Sequence, residues 1–301
     1  MQWVGMFPGQ GSQEIGMGDE LLEKYSNLLK NTFEESLGWS LESIINSDDP
    51  ELIKKTNIAQ PYIFSISYCY GIETINNLGN PAALIGHSLG EYTALCLSGY
   101  LDFKDALKVI AVRGEEMQKA VENSNTTMAA VLTNDLNTTI EEINKLNNQG
   151  IQIWISNYND PSQIVISSYI DDMNYLKSNP KAIGAKRVIP LEVAGAFHTE
   201  IVSPAKKPLH DVLNEIDISE GKIPVYMNVD AKKVDLSSIK ENLVNQIDNS
   251  VLFSQQIQNL NEDIDPDLWC HIGPGNVTAG MVRKSISYKD LKVINSLESS
   301  S

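Results

Sequence analysis

The chain is short of positive charge, cysteine, histidine and long apolar runs, and each shortage excludes something. Lysine and arginine number 23 against 39 aspartates and glutamates, a net charge of −16. A nucleic-acid binder needs a basic face, and an anionic membrane surface attracts one, so neither partner fits this balance. The three cysteines, Cys69, Cys96 and Cys270, are an odd number without a C-x-x-C pair, and each lies in or beside an apolar run. They read as buried free thiols of a reducing cytoplasm rather than a disulfide framework. No stretch reaches the roughly 18 apolar residues of a membrane span. The opening MQWVGMF has neither a basic segment nor a long apolar core of a secretory leader. These absences together predict a cytoplasmic protein. The four histidines, His87, His198, His210 and His271, show no ligand spacing with one another or with cysteine, so no metal is expected. There is no internal repeat, and the closing LESSS reads as a loose tail.

What is present is an ordinary globular composition. With 301 residues, 42% hydrophobic and 21% charged, the chain suits one large domain or two unequal ones. The stretch the rest is organised around is residues 81–99, PAALIGHSLGEYTALCLSG. Residues 82–85 form a short apolar run fit for a buried strand, and residues 89–98 carry apolar side chains at helical spacing. Between them Gly86-His87-Ser88-Leu89-Gly90 is a G-x-S-x-G pentapeptide. Small residues let a chain turn sharply enough there for a serine hydroxyl to stand exposed at a helix N-terminus. The free N–H groups and positive dipole end at such a terminus favour a developing oxyanion.

Taken in order, residues 2–7 predict a first strand, followed by the glycine-containing loop PGQGSQ at 8–13. Helical patterns follow at 19–29 and 31–45, and Ala59-Gln60-Pro61 opens an apolar helix that runs to Leu78. Asp102, with Asp105 three residues on, starts a further helix in the manner of a capping box. Arg113 falls on its apolar stripe, three after Ile110 and four before Met117. A guanidinium turned toward a core is costly unless an anion meets it. That anion is either an internal carboxylate such as Glu91 or Glu115, or the carboxylate of a substrate, which arginine grips with two parallel hydrogen bonds.

Between residues 127 and 193 the pattern changes to strand, helix, strand, strand, helix, strand. That βαββαβ order predicts a ferredoxin-like small domain inserted in a larger one made of residues 1–126 and 194–301. At the return to the large domain lies Gly195-Ala196-Phe197-His198-Thr199. His198 stands out among the histidines because this small-residue loop sits at a domain junction, where sites tend to form.

FPGQGSQ at 7–13, GHSLGEY at 86–92, RGEEMQ from Arg113, GAFH at 195–198 and GPG at 273–275 occur in the order seen in malonyl-CoA:acyl carrier protein transacylases. The chain resembles that family over nearly its whole length. The family includes the discrete acyltransferases of fatty-acid synthesis and the trans-acting ones of polyketide synthases. The resemblance implies an α/β fold, an α/β-hydrolase-like large domain with the ferredoxin-like insertion, and a site in the cleft between them. It implies that Ser88 takes the acyl group from coenzyme A as an ester, with His198 as general base and later acid. The backbone N–H groups of Gln10 and Leu89 then form the oxyanion hole, and Arg113 holds the free carboxylate of malonyl. His87 and Phe197 are counted with Arg113 as substrate-binding. The acyl group passes next to the phosphopantetheine thiol of an acyl carrier protein, with no cofactor in the chemistry.

Two departures stand out. Where the family reads N-P-V followed by Gln or Arg, this chain has Asn249-Ser250-Val251-Leu252. In relatives the main-chain carbonyl at the position of Leu252 orients the histidine, so Leu252 is expected to do so through its backbone. The second is charge: carrier proteins are acidic and so is this chain, so Lys177, Lys181, Lys186 and Arg187 are candidates for a compensating patch. The rival reading is a hydrolase of acyl thioesters, or a carrier-to-carrier acyltransferase, on the same scaffold. An α/β-hydrolase triad needs an acid between serine and histidine and an HGGG-type loop. Here that interval is mostly the insertion, and GQGSQ stands in place of the loop.

Overall fold

β1 (Trp3–Phe7) is buried along its whole length because it is the inner strand of a parallel sheet covered on both faces. A computed structural model describes residues 1–300 of the chain. β1 pairs in parallel with β2 (Ala83–Gly86) on one side and with β7 (Leu268–Ile272) on the other, and β8 (Leu291–Ile294) completes the order β2-β1-β7-β8. Alternation along the strands divides the core. Trp3, Phe7, Leu84, Cys270 and Ile272 enter one apolar cluster, while Val4, Met6, Ala83, Ile85 and Trp269 enter a second. The first cluster packs the Thr56–Leu78, Gly90–Leu97 and Phe103–Val121 helices, and the second packs Phe253–Ile264 and Val277–Ser285. All three cysteines are free and buried, and no helix among the described residues is long and apolar enough to cross a membrane.

The second sheet comprises β3 (Thr126–Leu132), β4 (Ile153–Asp160), β5 (Gln163–Tyr169) and β6 (Arg187–Pro190), all antiparallel, in the order β4-β5-β3-β6. The Leu136–Asn148 and Ile170–Ser178 helices cover one of its faces, so the elements run βαββαβ. Ala129, Val131, Ile164 and Ile166 point into the core under those helices. Met128, Ala130 and Val165, the alternate residues, point the other way and line a cleft against the first sheet. β4 is also tied across to the large body: Tyr158 N–H donates to the Val251 carbonyl and Val251 N–H to that of Ser156, both at 2.9 Å.

The structure departs from the sequence expectations in four places. The two helices expected at 19–45 are a string of short pieces, Leu21–Lys24, a π turn at Asn27–Thr32, Phe33–Leu37 and Leu41–Ile45. Gly38 breaks the run with φ of 75°. The next helix starts at Thr56 rather than at Ala59, and Pro61 lies inside it. Asp102 does cap its helix, accepting from Lys104 N–H at 2.8 Å, but Asp105 pairs with Lys108 instead of closing the box. The tail is not loose: Leu297–Ser300 is helical, with Leu297 N–H donating to Glu20 and the Ser300 carbonyl accepting from Asn77. Residue 301 lies outside the described residues.

Candidate active site

Two loops meet at the carboxyl edge of the parallel sheet because β1 and β2 are neighbours, with Phe7 in register with Gly86. One loop is 8–13 and the other is 86–90. Their glycines are fitted to each other. A Cβ on Gly86 would fall 1.9 Å from the Gly90 carbonyl carbon, one on Gly90 2.3 Å from the Phe7 oxygen, and one on Gly9 2.6 Å from the His87 oxygen. The turn can close only if these positions carry no side chain. Ser88 stands at its apex with φ of 52°, a left-handed conformation that costs a non-glycine residue about 1 kcal/mol or more. His198 is held in the same region, at φ of 59°.

Ser88 Oγ lies 2.8 Å from His198 Nε2, and His198 Nδ1 lies 2.8 Å from the main-chain oxygen of Gln246. A carbonyl can only accept, so Nδ1 carries the proton and Nε2 presents its lone pair to the serine hydroxyl. Burial, followed by the positive charge of Arg113, holds the imidazole down to about 3 against the opposing pull of the Gln246 carbonyl. The ring is therefore neutral and able to accept a proton at physiological pH. Ser88 N–H is taken by Asn228 Oδ1 at 2.8 Å. Among the described residues the N–H groups of Gln10 and Leu89 have no hydrogen-bond partner. The Gln10 side chain is anchored away from the serine, donating to Thr56 Oγ1 at 3.1 Å.

Arg113 is buried, with 1% of its surface exposed. Nη1 donates to Gln60 Oε1 at 2.7 Å, and Nη2 donates to Gln246 Oε1 at 2.8 Å and to Ser88 Oγ at 3.1 Å. The guanidinium also lies over the ring of Tyr92, 5.5 Å from its centroid. Neither of the internal carboxylates considered from sequence meets it directly. Glu115 is exposed and pairs with Lys119, while Glu91 bonds to Asn228 N–H and to the Gln246 side chain. Among the described residues Arg113 forms no ion pair.

A cleft of about 790 Å³ opens above these groups, and Gln10, His87, Ser88, Phe197 and His198 all line it. The second sheet supplies its opposite wall. His87 is fixed by Asn159 Oδ1 at 2.9 Å from Nε2 and packs against the edge of Phe253, and burial lowers its pKa. His271 is a satisfied core residue, bonded to Thr278 and Pro274 and pushed down to about 4 by burial, and His210 is exposed on a helix.

One assignment is corrected. The carbonyl that orients His198 belongs to Gln246, six residues before Leu252. Leu252 precedes the Phe253–Ile264 helix, its carbonyl accepts from Gln256 N–H at 3.0 Å, and it lines a separate cavity with Tyr158 and Gln255. No hydrogen bond joins that carbonyl to His198, whose Nδ1 is met by Gln246 instead. Gln60, Glu91, Asn228 and Gln246 complete the polar floor; Glu91 was considered from sequence only as a direct partner of Arg113, and the other three carried no local signal of a role there.

Comparison with known proteins gives consistent relatives. The family described as "Acyl transferase domain" matches residues 4–297. A malonyl CoA-acyl carrier protein transacylase of Bacillus subtilis (strain 168) is 38% identical over 283 residues, 93% of this chain and 89% of the relative. One of Staphylococcus aureus (strain MW2) is 32% identical over 296 residues, 97% of this chain and 95% of the relative. Among solved structures, a type II PKS acyl-carrier protein in complex with its malonyl-transacylase superposes with a TM-score of 0.91 at 29% identity, covering 100% of this chain and 98% of the other. The malonyl CoA-acyl carrier protein transacylase of Clostridium perfringens (ATCC 13124) gives 0.90 at 31% identity, covering 99% and 95%.

Proposed function

The chain belongs to the acyl transferase domain family, and from that premise we propose that it moves a malonyl group from coenzyme A to the phosphopantetheine thiol of an acyl carrier protein by way of an ester on Ser88. The observation that carries the reading is the placing of one hydroxyl, Ser88 Oγ, 2.8 Å from a neutral imidazole and 3.1 Å from a buried guanidinium that has no ion-pair partner among the described residues. The imidazole serves the reaction and the guanidinium serves the substrate.

In the first half-reaction Ser88 Oγ attacks the thioester carbonyl while His198 Nε2 takes its proton. The oxyanion forms against the N–H groups of Gln10 and Leu89, which are not committed elsewhere. As the tetrahedral adduct collapses, the C–S bond breaks and His198 returns the proton to the departing thiolate of coenzyme A. The second half runs in reverse, with the carrier thiol giving its proton to His198 and attacking the seryl ester. No cofactor enters these steps. The free carboxylate of malonyl lies on Arg113, whose charge no internal carboxylate neutralises by contact. That last point favours a transferase of a carboxylated acyl group over a hydrolase of neutral acyl chains, which has no use for a buried cation.

In this reading the large body is α/β-hydrolase-like and is formed by residues 1–126 and 194–301. The inserted unit, residues 127–193, is ferredoxin-like, which its β4-β5-β3-β6 strand order supports. Lys177, Lys181, Lys186 and Arg187 are all exposed, and among the described residues none forms an ion pair. They are the basic groups this reading offers to an acidic carrier, in a cytoplasmic setting. The test is intact-protein mass spectrometry after mixing with malonyl-CoA, where a malonyl-sized adduct is expected and its absence would sink the reading.

Phe197 sets the expected choice of acyl unit. Its ring is buried, lines the cleft and immediately precedes the general base. A phenyl group there fills the space that a methyl on the α-carbon of the acyl group needs, and a pocket rejects one extra methyl by about 1 to 3 kcal/mol. Malonyl-CoA is expected to be preferred over methylmalonyl-CoA by roughly 10- to 200-fold in kcat/KM, with Phe197→Ser narrowing the ratio. Competition kinetics with equal concentrations of the two thioesters measure it. An unchanged ratio in a stably folded Phe197→Ser variant would remove the ring from the selection.

A further inference from the structure

Beneath the site lies a buried carboxylate that the proposed chemistry does not use. Glu91 is fully buried in the first turn of the Gly90–Leu97 helix, immediately beyond the serine turn. One oxygen accepts the N–H of Asn228 at 2.6 Å, and the other accepts from Nε2 of Gln246. Burial pushes the Glu91 carboxyl up to about 8, against the opposing pull of Asn228 N–H, the Arg113 charge and the Gln246 amide. Yet each of its oxygens faces a donor, which is the bonding pattern of the ionised form. The helix N-terminus gives it a favourable field.

Gln246 is the point where this carboxylate meets the rest of the site. Its Nε2 faces Glu91, the Ser88 carbonyl and Asn228 Oδ1, and its Oε1 faces Arg113 Nη2. An amide turned over would set its NH₂ against the guanidinium and its oxygen against Glu91. The guanidinium donor at one end and the acceptors at the other therefore fix the same orientation. The consequence for Arg113 is specific. A carboxylate in direct contact would occupy the guanidinium and compete with a substrate carboxylate, whereas one set behind an amide steadies the cation and leaves its charge for the ligand.

We propose that Glu91 is a specificity-positioning residue: through the Gln246 side-chain amide it holds Arg113 in place without neutralising it by contact, and so favours acyl groups that carry a free carboxylate. The proposal rests on the malonyl-transfer reading and adds the residue that makes the arginine selective. Glu91 touches neither substrate nor the reacting atoms.

The geometry dictates what Glu91→Gln does. The new amide keeps an acceptor for Asn228 N–H but turns its NH₂ toward the NH₂ of Gln246, so that Gln246 must separate or flip away from Arg113. The test is the rate of acyl-enzyme formation from malonyl-CoA and from acetyl-CoA, read by mass spectrometry, in wild type, Glu91→Gln, Gln246→Leu and the double variant. Gln246→Leu retains the main-chain carbonyl that serves His198 and so isolates the amide. Each single variant is expected to lower the malonyl-to-acetyl ratio by about tenfold or more, the scale of a lost hydrogen bond to a charged group. The double variant is expected to show no further fall, because both changes break one connection. A wild-type ratio in Glu91→Gln would overturn the proposal. So would losses that multiply in the double variant, or equal slowing of both substrates with a collapsed melting temperature. If Glu91→Gln does not fold, the Gln246→Leu ratio decides: a wild-type value overturns the proposal and a tenfold fall supports it. A wild-type enzyme that takes acetyl but no malonyl would remove the functional reading itself, and this proposal with it.

Discussion

Ser88→Ala is expected to abolish acyl-enzyme formation from malonyl-CoA, and His198→Ala to slow it by at least about 10². In this reading Ser88 supplies the atom that forms the ester, so its removal leaves no adduct. The histidine supplies a base, and a serine hydroxyl without one still reacts slowly. Intact-mass measurement on the two variants separates these outcomes, and a malonyl adduct persisting on Ser88→Ala would end the assignment. The same experiment across pH tests the state of the base. Since burial and Arg113 hold free His198 down to about 3, the second-order rate of loading from acetyl-CoA, which does not draw on the connection from Glu91 to Arg113, should stay flat as pH falls from about 8 to 5, where an ordinary histidine near 6.5 would already have lost activity. A fall centred at 6.5 would show that the imidazole is more solvated than its packing indicates.

Arg113→Ala carries the second large effect. It should cost malonyl loading about 2 to 4 kcal/mol of transition-state stabilisation while leaving acetyl loading intact or improved. The reason is the missing internal partner: a desolvated guanidinium bonded only to neutral oxygens gains most from a bound carboxylate, and acetyl brings none. Truncation also leaves Gln60 Oε1 and Gln246 Oε1 without their donor, at about 1 to 3 kcal/mol each if nothing replaces it. The melting temperature is therefore expected to fall. The discriminating measurement is the ratio of the two loading rates in the folded variant. Equal loss for both substrates would make the arginine a structural element of the floor.

Much of the site is legible in the sequence because its chemistry is written in short windows. A serine at a glycine-bounded strand-to-helix turn, with the interlocking contacts of Gly86 and Gly90 behind it, is a local arrangement with few alternatives. Arg113 announced itself by falling on an apolar helical stripe, and it is buried for that reason. The βαββαβ order of the insertion and the burial of the cysteines follow from alternation and composition. The string of short helices at 21–45 was less legible, because a π turn and a left-handed glycine interrupt an apolar pattern that continuous helices would also satisfy.

By itself the sequence determined the serine turn and the strand that leads into it, the burial of the arginine, and the segment that brings the histidine. Only the tertiary structure decided which groups complete them. That Gln246 rather than Leu252 orients His198, that Glu91 reaches Arg113 through an amide instead of pairing with it, and that Asn228 holds the serine N–H are matters of residues far apart in the chain meeting under the sheet edge. Backbone preference and side-chain spacing act over a turn of helix or a few residues of strand, so they mark the positions where the chain must bend or bury. They carry no mark for a neutral amide or carbonyl whose only distinction is the neighbour that folding delivers to it, and for those the packing of distant elements is the deciding term.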